Sequence, residues 1–162
     1  MPTNKTPATD DFWRAYRLSA GLFHDEYDVV AFGDSPATAD ELAELVLNGP
    51  KRATAGLLRD FAPGGEPMPV VGGHVVVVDG SGRPRCIWRT TEVTIKPLID
   101  VDAAFAWDEG EGDRTLADWL DGHRRYFKRQ AAREGWLFHD RVETVFERFE
   151  VVWPPDAAAR KP

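Results

Sequence analysis

Lys51 and Thr54 stand three residues apart, directly after Asn48-Gly49-Pro50, a segment that predicts the end of a helix. A lysine amine that is partly removed from water loses its preference for the charged form and can accept a proton. A threonine hydroxyl needs such a base before it attacks an acyl carbon. Residues three apart in a regular strand point to opposite faces, so the pair requires a turn or an irregular strand start. The plain alternative is a solvated lysine followed by a threonine in a barrel wall.

Two carboxylates, Glu109 and Glu111, flank Gly110 in the polar segment Asp108–Asp113. In an extended loop both would point the same way, and the glycine lets the backbone approach a ligand closely. One of them could then act as a general acid that protonates a leaving amine. The alternative is an acidic loop that caps the following helix, where negative charge is favoured. Trp107, beside this loop, is a candidate stacking wall for a base.

Basic side chains recur on one side of a long helix that the sequence predicts from Thr115 to Arg133. The members proposed to contact phosphates are Arg125, Lys128 and Arg129. Tyr126 lies close enough along the helix to stack on a base. A solvated helix face with charge pairs four residues apart explains the same pattern. Arg85 belongs to a second basic strip near the predicted barrel.

The four histidines and the single cysteine offer less chemistry. His123 falls on the apolar stripe of the long helix and is interpreted as a core histidine. The other histidines show no spacing that would form a metal site, and no metal or other cofactor is expected. Cys86 lies in a predicted strand as a small hydrophobe, which leaves no internal disulfide and indicates a reducing, cytoplasmic setting.

Charge and hydropathy restrict the partners of the chain. Its 162 residues carry a formal net charge of -7. Non-specific binding to long nucleic acid is therefore disfavoured, and any site for a polyanion must be a local basic patch. No segment approaches the ~18 apolar residues of a membrane span, and the N-terminus lacks the apolar core of a signal peptide. A soluble protein without a membrane partner is expected.

These candidate groups must be positioned by one small domain. Residues 1–10 and 154–162 have no apolar periodicity and are expected to be flexible, which leaves a single domain over residues 11–153. The clearest helix follows the cap Ser35-Pro36, and a β-branched run at residues 74–78 turns back through a hairpin. The other predicted elements are a first helix near residues 12–23, a returning strand at 84–95, the long helix at 115–133 and a last strand at 143–153. Such an order predicts an α+β domain around a small mixed or antiparallel β-barrel.

Several motifs occur in an order and spacing that resemble the ASCH domain family. They are Gly49-Pro50-Lys51-Arg52-Ala53-Thr54, Val71-Gly72-Gly73-His74, Arg83-Pro84-Arg85-Cys86-Ile87 with Thr90-Thr91-Glu92-Val93, and Glu109-Gly110-Glu111-Gly112-Asp113-Arg114. His123-Tyr126-Phe127 and Glu147-Arg148-Phe149 continue the pattern, which spans about residues 30–153. The resemblance implies a PUA-like fold, a small β-barrel with flanking helices, and a link to RNA.

The resemblance also implies roles for individual residues. The family includes RNA-binding modules, ribonucleases and small amidohydrolases that deacylate N(4)-acylated cytidine. By similarity, Lys51 is the base, Thr54 the nucleophile and Glu111 the catalytic acid, and these residues together with Glu109 are expected to border one concave pocket. Hydrolase relatives show Lys-Thr-x-Thr, whereas this chain has Arg52 in place of the first Thr, which favours a contact with phosphate.

Two classes of function remain open. One is a metal-independent hydrolase of RNA or a modified nucleoside, either an amidohydrolase on N(4)-acylated cytidine or a ribonuclease on single-stranded RNA. The other is a non-catalytic RNA-binding module of PUA-like type, in which shape and stacking would carry the affinity because the chain is acidic.

Overall fold

A computed structural model describes residues 4–160. The helices and strands are α1 (Pro7–Ala20), β1 (Asp28–Val30), α2 (Pro36–Leu47), β2 (Ala53–Leu57), β3 (His74–Val78), β4 (Pro84–Pro97), α3 (Ala103–Glu109), α4 (Leu116–Glu134), β5 (Glu143–Trp153) and α5 (Pro155–Ala159). Short 3-10 turns follow β2 and β4. None of the helices in this part of the chain is long and apolar enough to cross a membrane.

The five strands form one mixed sheet in the order β1-β3-β4-β5-β2. Only β1 and β3 run parallel, and the other neighbours are antiparallel. The β4–β5 ladder is the longest, and irregularities near Trp88 and between Thr90 and Glu92 interrupt its register. Such bulges bend a strand and increase its twist, and the sheet curls into half a barrel. The predicted α+β class with a mixed barrel and flanking helices is confirmed.

Side chains of β3 show how the sheet is enclosed. Val75 and Val77 pack with α2 on one face, while Val76 and Val78 pack with α1 on the other. This alternation follows from the two-residue period of a strand, and both faces are buried because a helix covers each. A third cluster joins α3 and α4 to β2 and β5. The end of α2, the start of β2 and the α3–α4 connection therefore meet in one place.

Each of the two segments that were expected to be flexible contains helical residues: α1 begins at Pro7, and α5 spans Pro155–Ala159. Thr6 caps α1, and its side chain and that of Thr9 bond reciprocally to each other's backbone N–H groups, so the helix starts at Pro7 rather than near residue 12. At the other end α5 buries Ala157 against the sheet. The flexible ends were predicted because a short capped helix with few apolar residues leaves no periodic pattern. The remainder of those two predicted segments, residues 1–3 and 161–162, lies outside the described residues.

Candidate active site

Lys51 is a lysine with only 1% of its surface exposed. Helix α2 stops at Asn48, and the backbone N–H of Lys51 bonds back to the carbonyl of Leu45. Strand β2 starts at Ala53, so Lys51 lies just ahead of it in an irregular segment. Its Nζ donates to the carbonyl oxygen of Ala53 at 2.8 Å and to Oε2 of Glu111 at 2.7 Å. The ammonium group is thereby held against a carboxylate 60 residues away in the sequence.

Gly110 makes this contact possible. The residue ends α3 with φ of 71°, in the left-handed region that glycine adopts without strain. A Cβ at this position would lie 2.8 Å from the backbone N of Lys51. The end of α3 therefore packs directly against the Pro50-Lys51 backbone. As a result both flanking residues, Glu109 and Glu111, lie close to the Lys51 side chain.

Glu109 is the more deeply buried of the two acids, with 1% of its surface exposed. Neither of its carboxylate oxygens receives a well-directed hydrogen bond from the described residues. His123 Nε2 lies 3.1 Å from Oε2, and the contact is electrostatic. Burial alone would raise the pKa of Glu109, but the positive charges of His123 and Lys51 outweigh it and the pKa is lowered. Glu109 is thus a buried anion compensated by two neighbouring cations.

The pKa of Glu111 is shifted in the opposite direction. Its side chain is 32% exposed and, like Lys51, it lines the cavity described below. Burial raises the pKa of Glu111, and although Lys51 opposes the shift, the negative charge of Glu109 adds to it. Two neighbouring carboxyl groups with pKa values displaced in opposite directions are typical of sites that assign acid and base roles to different residues.

His123, which the apolar stripe of the helix predicts to be a core histidine, completes the group. Its ring stacks on Trp119 at a centroid distance of 3.7 Å, and Nδ1 donates to the Trp119 carbonyl oxygen at 2.9 Å. Burial lowers the pKa of His123, but the charge of Glu109 overcomes this and the pKa is raised. The apolar stripe predicted its burial, and only the tertiary contact with Glu109 reveals its place in the site.

These side chains line a cavity of about 340 Å³, here called the lysine cavity. Its lining includes the predicted site residues Lys51, Thr54, Glu109, Glu111, Arg125, Tyr126 and Arg129, together with His123, Phe32 and Gly33. Thr54 is half-buried in the wall formed by β2. The structure thus brings a candidate nucleophile, the lysine and the acids to one concave surface.

Arg52 lies elsewhere than predicted. Its Nη1 donates to the backbone carbonyls of Val46, Gly49 and Lys51, which are left without helical partners at the end of α2. Burial lowers the pKa of its guanidinium group. The side chain closes the helix end, and it is not among the residues that line the lysine cavity.

Three further predicted binding residues also lie outside the lysine cavity. Trp107 is 57% exposed on the outer side of α3. Arg85 forms an ion pair with Glu44 at 3.0 Å, next to α2. Lys128 stands over the ring of Phe138, 5.8 Å from its centroid. A single binding surface that includes all of the predicted basic residues is therefore not present in this fold.

At the mouth of the lysine cavity, two arginines are already paired with acids. Arg125 contacts Asp121 one helical turn away, and Arg129 contacts Asp34 at 3.2 Å. Both arginine side chains are largely exposed to solvent, and ion pairs of this kind contribute little to stability. The mouth is therefore close to neutral.

No three His, Cys, Asp or Glu side chains within residues 4–160 are grouped so that they could hold a metal ion.

Comparisons with known proteins agree with this architecture. A sequence profile of the ASCH domain matches residues 28–153. The structure is similar to the crystal structure of an ASCH domain from Lactobacillus crispatus, with a TM-score of 0.80 and 31% identity, covering 93% of this chain and 97% of that one. It is also similar to the crystal structure of a protein from Enterococcus faecalis, with a TM-score of 0.79, 34% identity, and coverage of 88% and 86%. A search of curated proteins finds no significant match.

Proposed function

The chain belongs to the ASCH domain family, and on this premise we propose that it hydrolyses the amide of N(4)-acylated cytidine. The fold is PUA-like, a type that binds RNA, and a modified nucleoside is a small substrate that suits a cavity of about 340 Å³. One observation carries the proposal. The Lys51 ammonium, 1% exposed, is bonded to Glu111 at 2.7 Å in a cavity whose wall holds Thr54.

The lysine and the glutamate form a pair that can share a proton. Burial disfavours two separate charges, so the neutral form of the pair, amine and carboxylic acid, is less costly here than in water. The raised pKa of Glu111 supports this direction. Proton transfer from Lys51 to Glu111 produces, in one step, an amine that can accept a proton and an acid that can donate one.

The reaction then uses both members of the pair. The amine of Lys51 takes the proton of Thr54 Oγ1 as the oxygen bonds to the acyl carbon. When the carbon–nitrogen bond breaks, Glu111 protonates the exocyclic nitrogen, and cytidine leaves. Water then attacks the acyl ester on Thr54 and gives a proton to the Glu111 carboxylate. As the ester bond breaks, the Lys51 ammonium returns a proton to Thr54 Oγ1, the carboxylic acid is released, and the amine and the acid of the starting pair are restored. Glu109 and His123 lie beside the pair, and the negative charge of Glu109 raises the pKa of both Glu111 and His123.

Amide hydrolysis is favoured over ribonuclease action by the position of the arginines. A ribonuclease needs a cation for the phosphate that develops charge during cleavage. Arg52, the residue that suggested this role in the sequence, is bonded to three carbonyl groups at the end of α2. Arg125 and Arg129 at the mouth already have acidic partners.

The direct test is to incubate the purified protein with N(4)-acetylcytidine, tRNA and unstructured RNA, with and without a chelator, and to separate the products by chromatography. We expect release of cytidine and acetate, unaffected by the chelator. Cleaved RNA would favour the ribonuclease alternative. RNA binding without any product would favour the binding module and overturn the proposal.

Substitutions then assign the roles. Lys51→Arg keeps the positive charge but removes a group that can be deprotonated, so turnover should collapse. Thr54→Ser should keep some turnover, and Thr54→Val should abolish it. Glu111→Gln should lower turnover about 100-fold or more with substrate binding retained. The exposed residues Lys128 and Glu143 provide the matched controls Lys128→Arg and Glu143→Gln, which should behave as wild type.

A further inference from the structure

A second cavity, of about 460 Å³, adjoins the lysine cavity. The residues common to both linings are Phe32, Gly33, Thr54, Ala55 and Tyr126. We call it the Glu147 cavity, after the acid on β5 that lines it. Since Thr54 belongs to both walls, a substrate that reacts at Thr54 can place one part in each cavity.

Glu147 is 7% exposed and lies directly opposite Thr54 across the β2–β5 pair. Opposite residues of an antiparallel pair project from the same face with Cβ atoms about 4.5–5.5 Å apart. Its Oε2 accepts hydrogen bonds from Thr90 Oγ1 at 2.6 Å and from Trp88 Nε1 at 3.2 Å. Oε1 takes part in neither of these bonds. The carboxyl group is thus fixed by two bonds on one oxygen while the other is free for a ligand.

The lining of this cavity differs in charge from that of the lysine cavity. Its ionisable carboxyl groups are Asp28, Asp60, Glu66 and Glu147, and no Lys, Arg or His is among its lining residues. A phosphate or carboxylate would find no positive partner there. Its apolar walls include the rings of Phe32 and Trp88, which are stacked with each other at a centroid distance of 5.9 Å. Flat apolar walls with an acceptor at one point suit a planar nitrogenous ring.

We propose that the Glu147 cavity holds the nucleobase, and that Glu147 Oε1 selects bases with an exocyclic amino group by accepting its N–H. The choice of a nucleoside as ligand rests on the proposed function. A base that enters with its substituted nitrogen near Thr54 brings that nitrogen within reach of Glu147. A carboxylate that accepts from the cytosine amino group is a known mode of base recognition. Uracil presents a carbonyl oxygen at the same position, which a carboxylate repels.

The state of Glu147 agrees with a neutral ligand. Burial raises the pKa of Glu147, and the bonds from Thr90 and Trp88 offset this only in part. A group that easily becomes neutral in a cavity without cations does not require a charged partner. Above that raised pKa the group is ionised, and the ionised form is the one that accepts the amino N–H and repels a carbonyl oxygen.

The test compares the binding of cytidine and uridine by calorimetric titration. These nucleosides carry no acyl group, so binding is measured without hydrolysis. Wild type should bind cytidine about tenfold more tightly than uridine, because uridine replaces an attractive contact at Glu147 with a repulsive one. Glu147→Gln places an N–H donor in the cavity and should remove or invert the preference. Glu143→Gln, an exposed change on the same strand, should preserve it.

Glu147→Asp gives a second variant that retains the charge. It withdraws the carboxylate by one methylene, so cytidine binding should weaken without a gain for uridine. An unchanged cytidine-to-uridine ratio in folded Glu147→Gln, or no nucleoside binding by wild type, overturns the proposal. If the ratio inverts but no acylated nucleoside is hydrolysed, the base site stands and the hydrolase function fails. If hydrolysis occurs and the ratio is unchanged, the base site fails and the function stands.

Discussion

Asp79 and Glu109 are two buried carboxylates with very different surroundings. Asp79 lies in the β3–β4 turn, where its Oδ1 accepts from the backbone N–H groups of Ser81 and Arg83 and from the Ser81 hydroxyl. Burial alone would raise the pKa of Asp79, but these bonds lower it to about 2. The pKa of Glu109 is also lowered, but by the charges of its neighbours, without a well-directed hydrogen bond.

The difference distinguishes a structural acid from one in a site that can change its protonation. The partners of Asp79 include fixed dipoles within five residues, and its environment is complete when the turn forms. The charge of Glu109 is balanced by His123 and Lys51, groups that can themselves gain or lose protons. A carboxylate held in this way influences the proton affinity of the groups around it, which is what a catalytic site requires.

The largest effect in this comparison should come from Asp79→Ala. It removes the hydrogen bonds that the buried Asp79 carboxylate accepts from Ser81 and Arg83, and bonds to a charged group are the stronger kind, so the free energy of unfolding should fall by about 2 kcal/mol. Denaturant titration measures this change. Turnover of N(4)-acetylcytidine by the folded variant should equal that of wild type, and a selective loss of turnover would remove the distinction between the two acids.

Glu109→Gln should show the reverse pattern. Stability should stay within about 1 kcal/mol, because His123 can lose its proton once the charge of Glu109 is gone, and Lys51 keeps Glu111 as its partner. Turnover should fall about tenfold, since the negative charge that raises the pKa of Glu111 is gone and one pKa unit changes the protonation ratio tenfold. Steady-state kinetics beside a thermal melt would test both parts. A strongly destabilised variant with normal turnover contradicts the prediction.

The pH dependence of stability and of activity should separate. The folded pKa of Asp79 lies below its ordinary 3.8, so its contribution is present above that pH and is lost as the pH falls toward about 2. Activity should decline earlier, as the pH falls through the raised pKa of Glu111, above the ordinary 4.5. Below that pKa both members of the Lys51 pair are protonated and no base remains. Coincident acid transitions for turnover and unfolding would speak against this assignment.

The smallest effect is expected for the exposed charges at the mouth. Reversing the charges of Arg125 and Arg129 together should weaken binding of single-stranded RNA by less than about fivefold, because each arginine already has an acidic partner. The slope of log affinity against log salt should fall by about 0.7 for each phosphate contact removed. Lys128→Glu, on a side chain outside the cavity, serves as the control and should leave the slope unchanged. If the charge reversals at Arg125, Arg129 and Lys128 had equal effects, the three side chains would form one RNA-binding surface, as the sequence suggested.

The parts of the fold that could be predicted depend on signals within a few residues. Ser35 caps α2 as expected, α4 lies within one residue of both predicted bounds, and β5 spans Glu143–Trp153 as predicted. Helix α3 was missed, because seven residues with one cap provide little periodicity. The placement of Lys51 with Glu111 came from the family resemblance, since no local rule links residues 60 apart.

Side-chain partners were less predictable than elements. The sequence places Arg52 next to Lys51 but does not say which carbonyl groups lack partners after the helix stops. His123 was predicted to be buried, but burial alone would lower its pKa, and it is the charge of Glu109 that raises it. Glu147 carried no chemical assignment, because its relation to Thr54 depends on the register between β2 and β5. Each of these roles arises from a contact between elements distant in sequence.

Strand β2 is an edge strand of the sheet, and β5 is its only strand partner among the described residues. The unpaired N–H and C=O groups of an edge strand can bond to a strand of a second molecule, which leads to aggregation. Here the end of α3 covers the strand's beginning: the Arg52 N–H bonds to the Asp108 carbonyl at 2.8 Å, and Gly110 packs on the Lys51 backbone. We therefore expect the loop that carries Glu111 into the site to hinder a second molecule from pairing at the start of β2. Enlarging Gly110 should make the protein self-associate as well as lose its lysine–glutamate pair.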